Sequence, residues 1–234
     1  AIFKNQSASQ SLVLNYDNKW TRFFIKQKPL AKTWLFSVRP LPKKINGIFY
    51  NNGRVYFQDD DSAVPVLNAG NFGKKWGSHN LQNLIASMLA AYLTGVPWKA
   101  MQPKIRTMPQ VPFRQEVIYK SKKLKIINDT SATSPDGGMA AINRFAGPAT
   151  ILIAGGTDRR LDYGGWAGTV KQKLKKENIV FLGGSATTKM LRALDWYKAQ
   201  PQVFDTLEES TRAALAKAGK YRQSVLLFSP AAKS

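Results

Sequence analysis

The sequence contains no cysteine and a single histidine, His79. These absences exclude a disulfide framework, a cysteine nucleophile, a thiolate metal site and a zinc site built from several histidines. No apolar run approaches the ~20 residues that a membrane-spanning helix needs, and the amino terminus lacks the apolar centre of a signal peptide. We therefore expect a cytoplasmic protein without membrane contact, in which any metal ion arrives together with a nucleotide.

Two nucleotide-binding patterns are also missing. The phosphate-binding pattern GxxxxGK[ST] occurs nowhere in the chain. The dinucleotide pattern GxGxxG fails at Gly155-Gly156, because the later glycine is absent. The sequence thus argues against NAD binding and predicts that the main phosphate-holding groups of any ATP site lie outside this chain. The start at Ala1, in polar sequence without a methionine, suggests a fragment or a trimmed product.

Acidic residues are scarce: 35 Lys and Arg stand against 14 Asp and Glu, for a net charge of +21. Such a charge raises a basic nucleic-acid-binding or scaffold protein as an alternative function. The charge is spread along the chain, however, with 15 basic and 4 acidic residues in 1–111 and 20 and 10 in 112–234. No recognition helix or stacking motif accompanies it, so we expect no specific nucleic-acid partner.

The first half of the chain reads as short strands followed by helices. The strands are predicted at residues 11–15, 34–38, 47–50 and 54–58, and we expect them to pair mainly antiparallel. Asp59-Asp60-Asp61 is predicted to be a solvated turn. An amphipathic helix over 80–94 buries a leucine-rich stripe, and a short helix over 98–106 lies in a proline-rich linker. This linker places a domain boundary after Val111.

The second half alternates strands with helices. The strands are predicted at 116–119, 124–128, 151–154, 179–182 and 225–228, with helices near Asp136, Tyr163, Ala186 and Leu207. Such alternation is typical of an α/β fold with a parallel, doubly wound sheet. Ligands of these sheets bind at the carboxyl ends of the strands.

The most informative segment is 126–136, where an apolar strand runs into hydroxyl and carboxylate groups and then into a helix. Ser134 is a good helix cap, Pro135 suits the first helical position, and Gly147 and Pro148 end the helix, predicted from Asp136 to about Ala146. The helix amino terminus would face a carboxylate or phosphate. The alternative is a capped helix with nothing bound.

Four polar residues follow strands of the predicted sheet: Asp129, Thr133, Arg159 and Ser234. Because parallel strands end at the same edge, we expect these side chains to lie together and to form a ligand site. Arg159 can hold a carboxylate with two hydrogen bonds, and the hydroxyl groups of Thr133 and Ser234 can donate beside it. On the residues alone, Asp129 could equally be a turn residue and Arg159 a solvated loop charge.

Four motifs, in this order along the chain, carry a resemblance to a known family. They are GSHNLQN at 77–83, IINDTSATSPD at 126–136, ILIAGGTDR at 151–159 and VLLFSPAAKS at 225–234. Together they resemble the carboxyl-terminal half of the Mur ligase family, and most of all its D-glutamate-adding members. The resemblance implies that residues 1–111 are the end of the central ATPase domain. It also implies that residues 112–234 are a Rossmann-like carboxyl-terminal domain, truncated at its end.

The activity implied by this resemblance is an ATP-dependent ligase of peptidoglycan precursor synthesis. In such a reaction ATP, with Mg²⁺, phosphorylates the carboxylate of UDP-N-acetylmuramoyl-L-alanine, and the amine of D-glutamate attacks the acyl phosphate. This chain would supply the amino-acid side of the site, would be inactive alone, and is expected to be a monomer.

The resemblance also assigns site residues. The residues expected to hold D-glutamate are Thr133, Arg159 and Ser234. Those expected to contact the nucleotide are Asn80, Asn83, Arg114 and Asp129. The sequence departs from the family at three positions: Arg159 and Ser131 stand where lysine is usual, and Phe113 stands where histidine is usual.

Overall fold

The computed structural model describes residues 2–196 and 201–233, and the chain divides into two compact units between Met108 and Pro109. Each unit has its own β-sheet, with five strands in the first and six in the second. The division falls within the proline-rich linker, three residues before the sequence-based boundary after Val111.

The sheet of the first unit contains five strands that lie side by side in chain order. They are β1 (Ser11–Asn15), β2 (Lys32–Ser37), β3 (Gly47–Asn51), β4 (Arg54–Asp59) and β5 (Ser62–Asn68). The predicted antiparallel hairpin is confirmed for β3 and β4, but the expectation is wrong for β1, β2 and β3, which are parallel. Strand β5, which was not predicted, is antiparallel to β4.

The connections explain both kinds of pairing. Helix α1 (Thr21–Lys26) connects β1 to β2 and a long loop connects β2 to β3, so each of these strands starts from the same end of the sheet. Between β3 and β4, Asn52 and Gly53 form a tight turn with positive φ angles of 45° and 83°, which reverses the chain. Strand β5 was not predicted because it contains Pro65, and proline weakens a strand pattern. The position of β5 at the edge of the sheet is where a proline is tolerated.

Three further helices complete the first unit: α2 (Phe72–Trp76), α3 (Ser78–Leu93) and α4 (Trp98–Arg106). The predicted amphipathic helix is confirmed as α3, whose buried stripe of Leu81, Leu84, Ile85, Met88 and Leu89 packs in one cluster with sheet residues. Each such buried side chain contributes roughly 1.5–3 kcal/mol. None of the helices described in either unit is long and apolar enough to cross a membrane.

The second unit contains a six-stranded sheet with the order β10-β9-β8-β11-β7-β6. The strands are β6 (Glu116–Lys120), β7 (Leu124–Asn128), β8 (Thr150–Gly155), β9 (Ile179–Leu182), β10 (Val203–Phe204) and β11 (Ser224–Phe228). All neighbours are parallel except β6 and β7, which form an antiparallel pair at one edge. The predicted parallel sheet is thereby confirmed, and β10 is the strand that the sequence did not reveal.

Four helices cover both faces of this sheet: α5 (Pro135–Phe145), α6 (Gly164–Lys173), α7 (Ser185–Ala193) and α8 (Leu207–Ala218). Successive strand residues point to opposite faces. Leu152 therefore packs with α5, α6 and α7, whereas its neighbours Ile151 and Ile153 pack with α8. The unit is doubly wound, as predicted. Since β11 is inserted between β7 and β8, the carboxyl ends of these three strands lie side by side, where ligands of such sheets bind.

Candidate functional site

The loops that follow β7, β8 and β11 are tied together at the carboxyl edge of the second sheet. The backbone N–H of Asp129, after β7, donates to the carbonyl of Phe228 at the end of β11 (2.8 Å). Beyond β8 and β11, Thr157 and Lys233 exchange two backbone hydrogen bonds of 2.6 and 3.1 Å. Three separate loops therefore form one connected surface at the predicted edge.

Asp129 is the central polar residue of this surface and is only 2% exposed. One carboxylate oxygen accepts a hydrogen bond from the backbone N–H of Gln115 (3.0 Å), and the other accepts from the hydroxyl of Ser229 (2.8 Å). Burial raises the pKa of Asp129 to about 6, although these two hydrogen bonds and the positive charges of Arg114 and Arg144 lower it. The carboxylate thus joins the segment before β6 to the loop after β11.

Arg114 lies in a tight bend beside Asp129. Its neighbours Phe113 and Gln115 both have positive φ angles, 61° and 49°, and the Phe113 carbonyl accepts a hydrogen bond from the N–H of Ser131 (2.9 Å). The bend leaves the Arg114 side chain exposed at the carboxyl edge. The structure therefore brings two of the predicted nucleotide ligands together. The ribose contact of Asp129 stays a prediction, and both of its oxygens already accept hydrogen bonds within the chain.

The other two predicted nucleotide ligands, Asn80 and Asn83, lie on α3 in the first unit. The amide of Asn80 donates to the carbonyl of Trp76 (2.8 Å), which fixes its side chain at the start of the helix. Asn83 is exposed. Both side chains lie away from the stripe that packs on the sheet, and their roles stay predictions.

Thr133 lies at the amino terminus of α5, where the predicted capping is confirmed. The Ser134 hydroxyl accepts a hydrogen bond from the N–H of Gly137 (3.3 Å), and Pro135 is the first helical residue. Thr133 directly precedes the cap and is half-buried. A carboxylate held at Thr133 would therefore face the positive end of the helix dipole.

Arg159 is exposed on the loop that follows β8, and the residue before it is firmly held. The Asp158 carboxylate forms a 2.5 Å ion pair with Lys189, and its backbone N–H donates to the Ser185 hydroxyl (2.9 Å). The hydrogen bond from Lys189 lowers the pKa of Asp158. Arg159 thus extends from an anchored base toward solvent. Ser234, the third predicted D-glutamate ligand, lies outside the described residues.

The glycine pair that resembles a dinucleotide motif has a packing role. Gly155 has a φ of 124°, and a Cβ atom there would lie 2.1 Å from the carbonyl oxygen of Leu182. At Gly184, with a φ of 145°, a Cβ atom would lie 2.2 Å from the carbonyl oxygen of Gly156. Only glycine permits the end of β8 to approach the turn before α7 this closely.

Sequence reasoning missed three residues that shape the Asp129 site. Ser229 was quoted as part of a motif but given no role, although a serine directly after a strand is a recognisable signal. Gln115 and Arg144 gave no signal, because their hydrogen bond joins α5 to a segment about 29 residues earlier in the chain. The Arg144 guanidinium donates to the Gln115 side chain (2.9 Å) and thereby supports the bend that carries Arg114.

Comparison with curated proteins finds relatives along the whole chain. UDP-N-acetylmuramoylalanine–D-glutamate ligase of Caldanaerobacter subterraneus subsp. tengcongensis is 32% identical, covering 100% of this chain and 49% of the relative. The ligase of the same name from Clostridioides difficile is 29% identical, with coverage of 100% and 49%. The chain therefore spans about half the length of the curated relatives it matches. No family model matches the chain.

Solved structures share the fold. MurF from Acinetobacter baumannii aligns with a TM-score of 0.65 at 14% identity, over 99% of this chain and 51% of MurF. The Thermotoga maritima MurF ligase in complex with ADP gives 0.60 at 17% identity, over 95% and 50%. A bifunctional folylpolyglutamate synthase/dihydrofolate synthase with Mn, AMPPNP and L-glutamate bound also gives 0.60, at 14% identity, over 95% and 51%.

The architecture is thus that of Mur ligases and folylpolyglutamate synthases. The identity to D-glutamate ligases along the entire chain then decides between these groups, and the chain belongs to the Mur ligase family.

Proposed function

We propose that this chain is the amino-acid side of an ATP-dependent ligase that adds D-glutamate to UDP-N-acetylmuramoyl-L-alanine in peptidoglycan synthesis. The observation that carries the proposal is the joined carboxyl edge of β7, β8 and β11, which gathers the loops of Thr133, Arg159 and Asp129. The curated relatives named for this activity support it. In the proposed reaction the substrate carboxylate attacks the terminal phosphate of ATP, releasing ADP, and the D-glutamate amine then displaces phosphate from the acyl phosphate.

In this proposal D-glutamate is held by Thr133, Arg159 and Ser234. Arg159 forms a bidentate ion pair with one carboxylate, and Thr133 donates its hydroxyl beside the positive end of α5. A fixed carboxylate orients the amine of D-glutamate toward the acyl carbon. Such positioning commonly accounts for several kcal/mol of a reaction barrier.

Each unit has its own proposed nucleotide contacts. In the second unit, Arg114 binds ATP phosphates and Asp129 lies on the ribose side; the bend between them is supported by the hydrogen bond from Gln115 to Asp129. In the first unit, Asn80 and Asn83 contact the adenine. Solved structures of the same fold with ADP or AMPPNP bound support nucleotide use in this proposal.

The remaining groups of the reaction are assigned to the half of the relatives' length that this chain does not span. We propose that residues 1–111 complete a central ATPase domain and that residues 112–234 form the amino-acid-binding domain of a cytoplasmic monomer. The described residues contain no group of three or more His, Cys, Asp or Glu side chains that could hold a metal ion. In the proposal Mg²⁺ enters with ATP, and no residue of this chain is assigned a step with it.

Calorimetric titration of the folded chain with D-glutamate tests the proposal. Two adjacent substitutions form a matched pair, because Arg159 and Arg160 are both exposed and Arg→Gln removes the same charge from each. Arg159→Gln removes charge-assisted hydrogen bonds, so the affinity should fall about tenfold or more. Arg160→Gln should change it by less than about twofold.

The opposite results are equally specific. A folded wild-type chain that shows no affinity for D-glutamate would contradict the proposed role of the carboxyl edge. If Arg159→Gln and Arg160→Gln lowered the affinity for D-glutamate equally, the effect would be general electrostatic attraction. Arg159 would then have no specific role in binding.

A further inference from the structure

The opposite edge of the second sheet gathers most of the positive charge of its unit. The amino edge consists of residues 120–125, 143–149, 170–178, 190–196 and 215–223, which lead into the amino ends of the parallel strands. Among the described residues, this edge carries thirteen Lys or Arg against Glu177 and Asp195, whereas the rest of the unit carries six against eight acids. Charge that is spread evenly along the sequence is therefore concentrated in space.

Part of this charge has a structural explanation. Helices end at the amino edge, and basic residues in the last turn of a helix interact favourably with its dipole. This applies to Arg144, Lys171, Lys173, Arg192 and Lys217. It does not apply to the lysines at the turn between β6 and β7, which no helix end accounts for.

These lysines line a cavity of about 460 Å³, a volume within the usual range of ligand sites. The turn supplies Lys120, Lys122, Lys123 and Lys125, and the opposite walls come from the loop after α5 and the start of β11. No Asp or Glu is among the lining residues, and within the described part of the chain none of the four lysines has a carboxylate within salt-bridge distance.

The fold forces these like charges together. Lys120 and Lys125 are direct partners in the β6–β7 ladder, where opposed like charges are destabilising. Burial lowers the pKa of Lys125, and the charges of Arg144 and Lys120 lower it further. The repulsion is local and would be relieved by an anion in the cavity.

The backbone that carries these lysines is held in place by hydrogen bonds. The N–H of Ser121 donates to the carbonyl of Leu124 (2.8 Å), which closes the turn. The carbonyl of Lys123 accepts from the N–H of Ser224 (2.9 Å), which attaches the turn to β11. The Phe145 ring forms an apolar wall and lies 5.1 Å from the Lys125 ammonium group.

We propose that this lysine cavity binds a small, multiply charged phosphate anion, either an inorganic polyphosphate or the polyphosphate group of a nucleotide. The lysines supply point charges around an open concavity at the surface, which a compact polyanion can enter from solvent. The cavity lies at the edge of the sheet opposite Arg159 and does not depend on the proposed ligase activity.

An NMR titration of the whole chain with inorganic tripolyphosphate at constant ionic strength tests the proposal. We expect saturable shifts of backbone amides in 120–125 and 147–150. Replacing Lys120, Lys122 and Lys123 together by glutamine should weaken binding about tenfold or more. The control replaces Lys43, Lys99 and Lys104, three exposed lysines of the first unit, and removes the same charge. It should change the affinity by less than about twofold.

A parallel titration with ATP, followed at the same backbone amides in 120–125 and 147–150, distinguishes the two sources of the anion and separates this cavity from the nucleotide contacts proposed at the carboxyl edge. Equal affinity for both ligands assigns recognition to the phosphates alone, and tighter binding of ATP assigns it to a nucleotide. Three results would overturn the proposal: no saturable shifts, equal weakening in both triple variants, or a single-stranded oligonucleotide that binds more tightly than tripolyphosphate. The last result would indicate a nucleic-acid surface instead.

Discussion

Asp129 provides the sharpest quantitative prediction, because its carboxyl group is buried. Its pKa is raised from 3.8 to about 6, so the folded state holds the proton more tightly than the unfolded state does. Stability falls with rising pH wherever the folded state binds more protons. Asp129 should therefore destabilise the fold above about pH 6, and this effect should disappear as the pH falls toward the ordinary value of the group.

The size of the effect follows from the pKa shift. A pKa raised from 3.8 to about 6 corresponds to about 3 kcal/mol between full ionisation and full protonation of Asp129. Between about pH 7.5 and pH 4.5 the second unit should gain about 2 kcal/mol from this group. Asp129→Asn should remove the gain. The asparagine oxygen can accept from Gln115, and its amide can donate to the hydroxyl of Ser229, so the variant should fold and should be more stable than wild type at about pH 7.5.

Two measurements test this reasoning. Hydrogen exchange of core amides in β7 and β11, corrected for intrinsic rates, gives the stability of the second unit for wild type and Asp129→Asn at both pH values. Carbon NMR of the labelled carboxyl group gives the pKa directly, and Ser229→Ala should raise it further by removing a donor to the ionised form. A stability difference that does not vary with pH, or a midpoint near 3.8, would refute the argument.

Four other substitutions test packing and helix capping. Gly138→Ala should destabilise the second unit by about 1–3 kcal/mol, because the new Cβ would lie 2.6 Å from the Cβ of Ala231. In Gly168→Ala the new Cβ would have no neighbour within 4 Å, so this variant should be more stable by about 0.5–1 kcal/mol. Gly184→Ala should prevent normal folding of the second unit, visible as lost amide dispersion, because its Cβ would strike a backbone carbonyl. Ser134→Ala should cost about 1 kcal/mol in chemical denaturation by removing the cap of α5. A destabilised Gly168→Ala variant or an unaffected Ser134→Ala variant would contradict these assignments.

The sequence reveals most of the second unit because its strong signals are local. The apolar runs of β7, β8, β9 and β11 and the capped start of α5 each depend on a few adjacent residues. The parallel pairing of β1 to β3 and the strand β5 were not predictable in this way, since pairing direction depends on the path of loops and Pro65 masks a strand pattern.

In the candidate site, too, the residues with a local sequence signal were predictable and the others were not. Asp129, Thr133 and Arg159 could be found because each follows a strand or precedes a cap. The contact between Gln115 and Asp129 could not be predicted, because Gln115 reaches Asp129 from a separate segment through a bend with positive φ angles. The concentration of lysines at the amino edge was likewise hidden, since it arises from helix ends and one turn that are distant in sequence.

The expected behaviour of Asp129→Asn bears on function as well as stability. If asparagine stabilises the fold at neutral pH, then packing and hydrogen bonding do not explain why a carboxylate occupies this position. A buried carboxylate beside Arg114 and Arg144 is better explained by its effect on Arg114, which is exposed. Asp129 accepts a hydrogen bond from Gln115 and so fixes the bend that carries Arg114. Stabilising substitutions at functional sites commonly reduce activity. Asp129→Asn should therefore weaken nucleotide binding at the carboxyl edge while raising stability, and a variant that improves both would remove Asp129 from the proposed site.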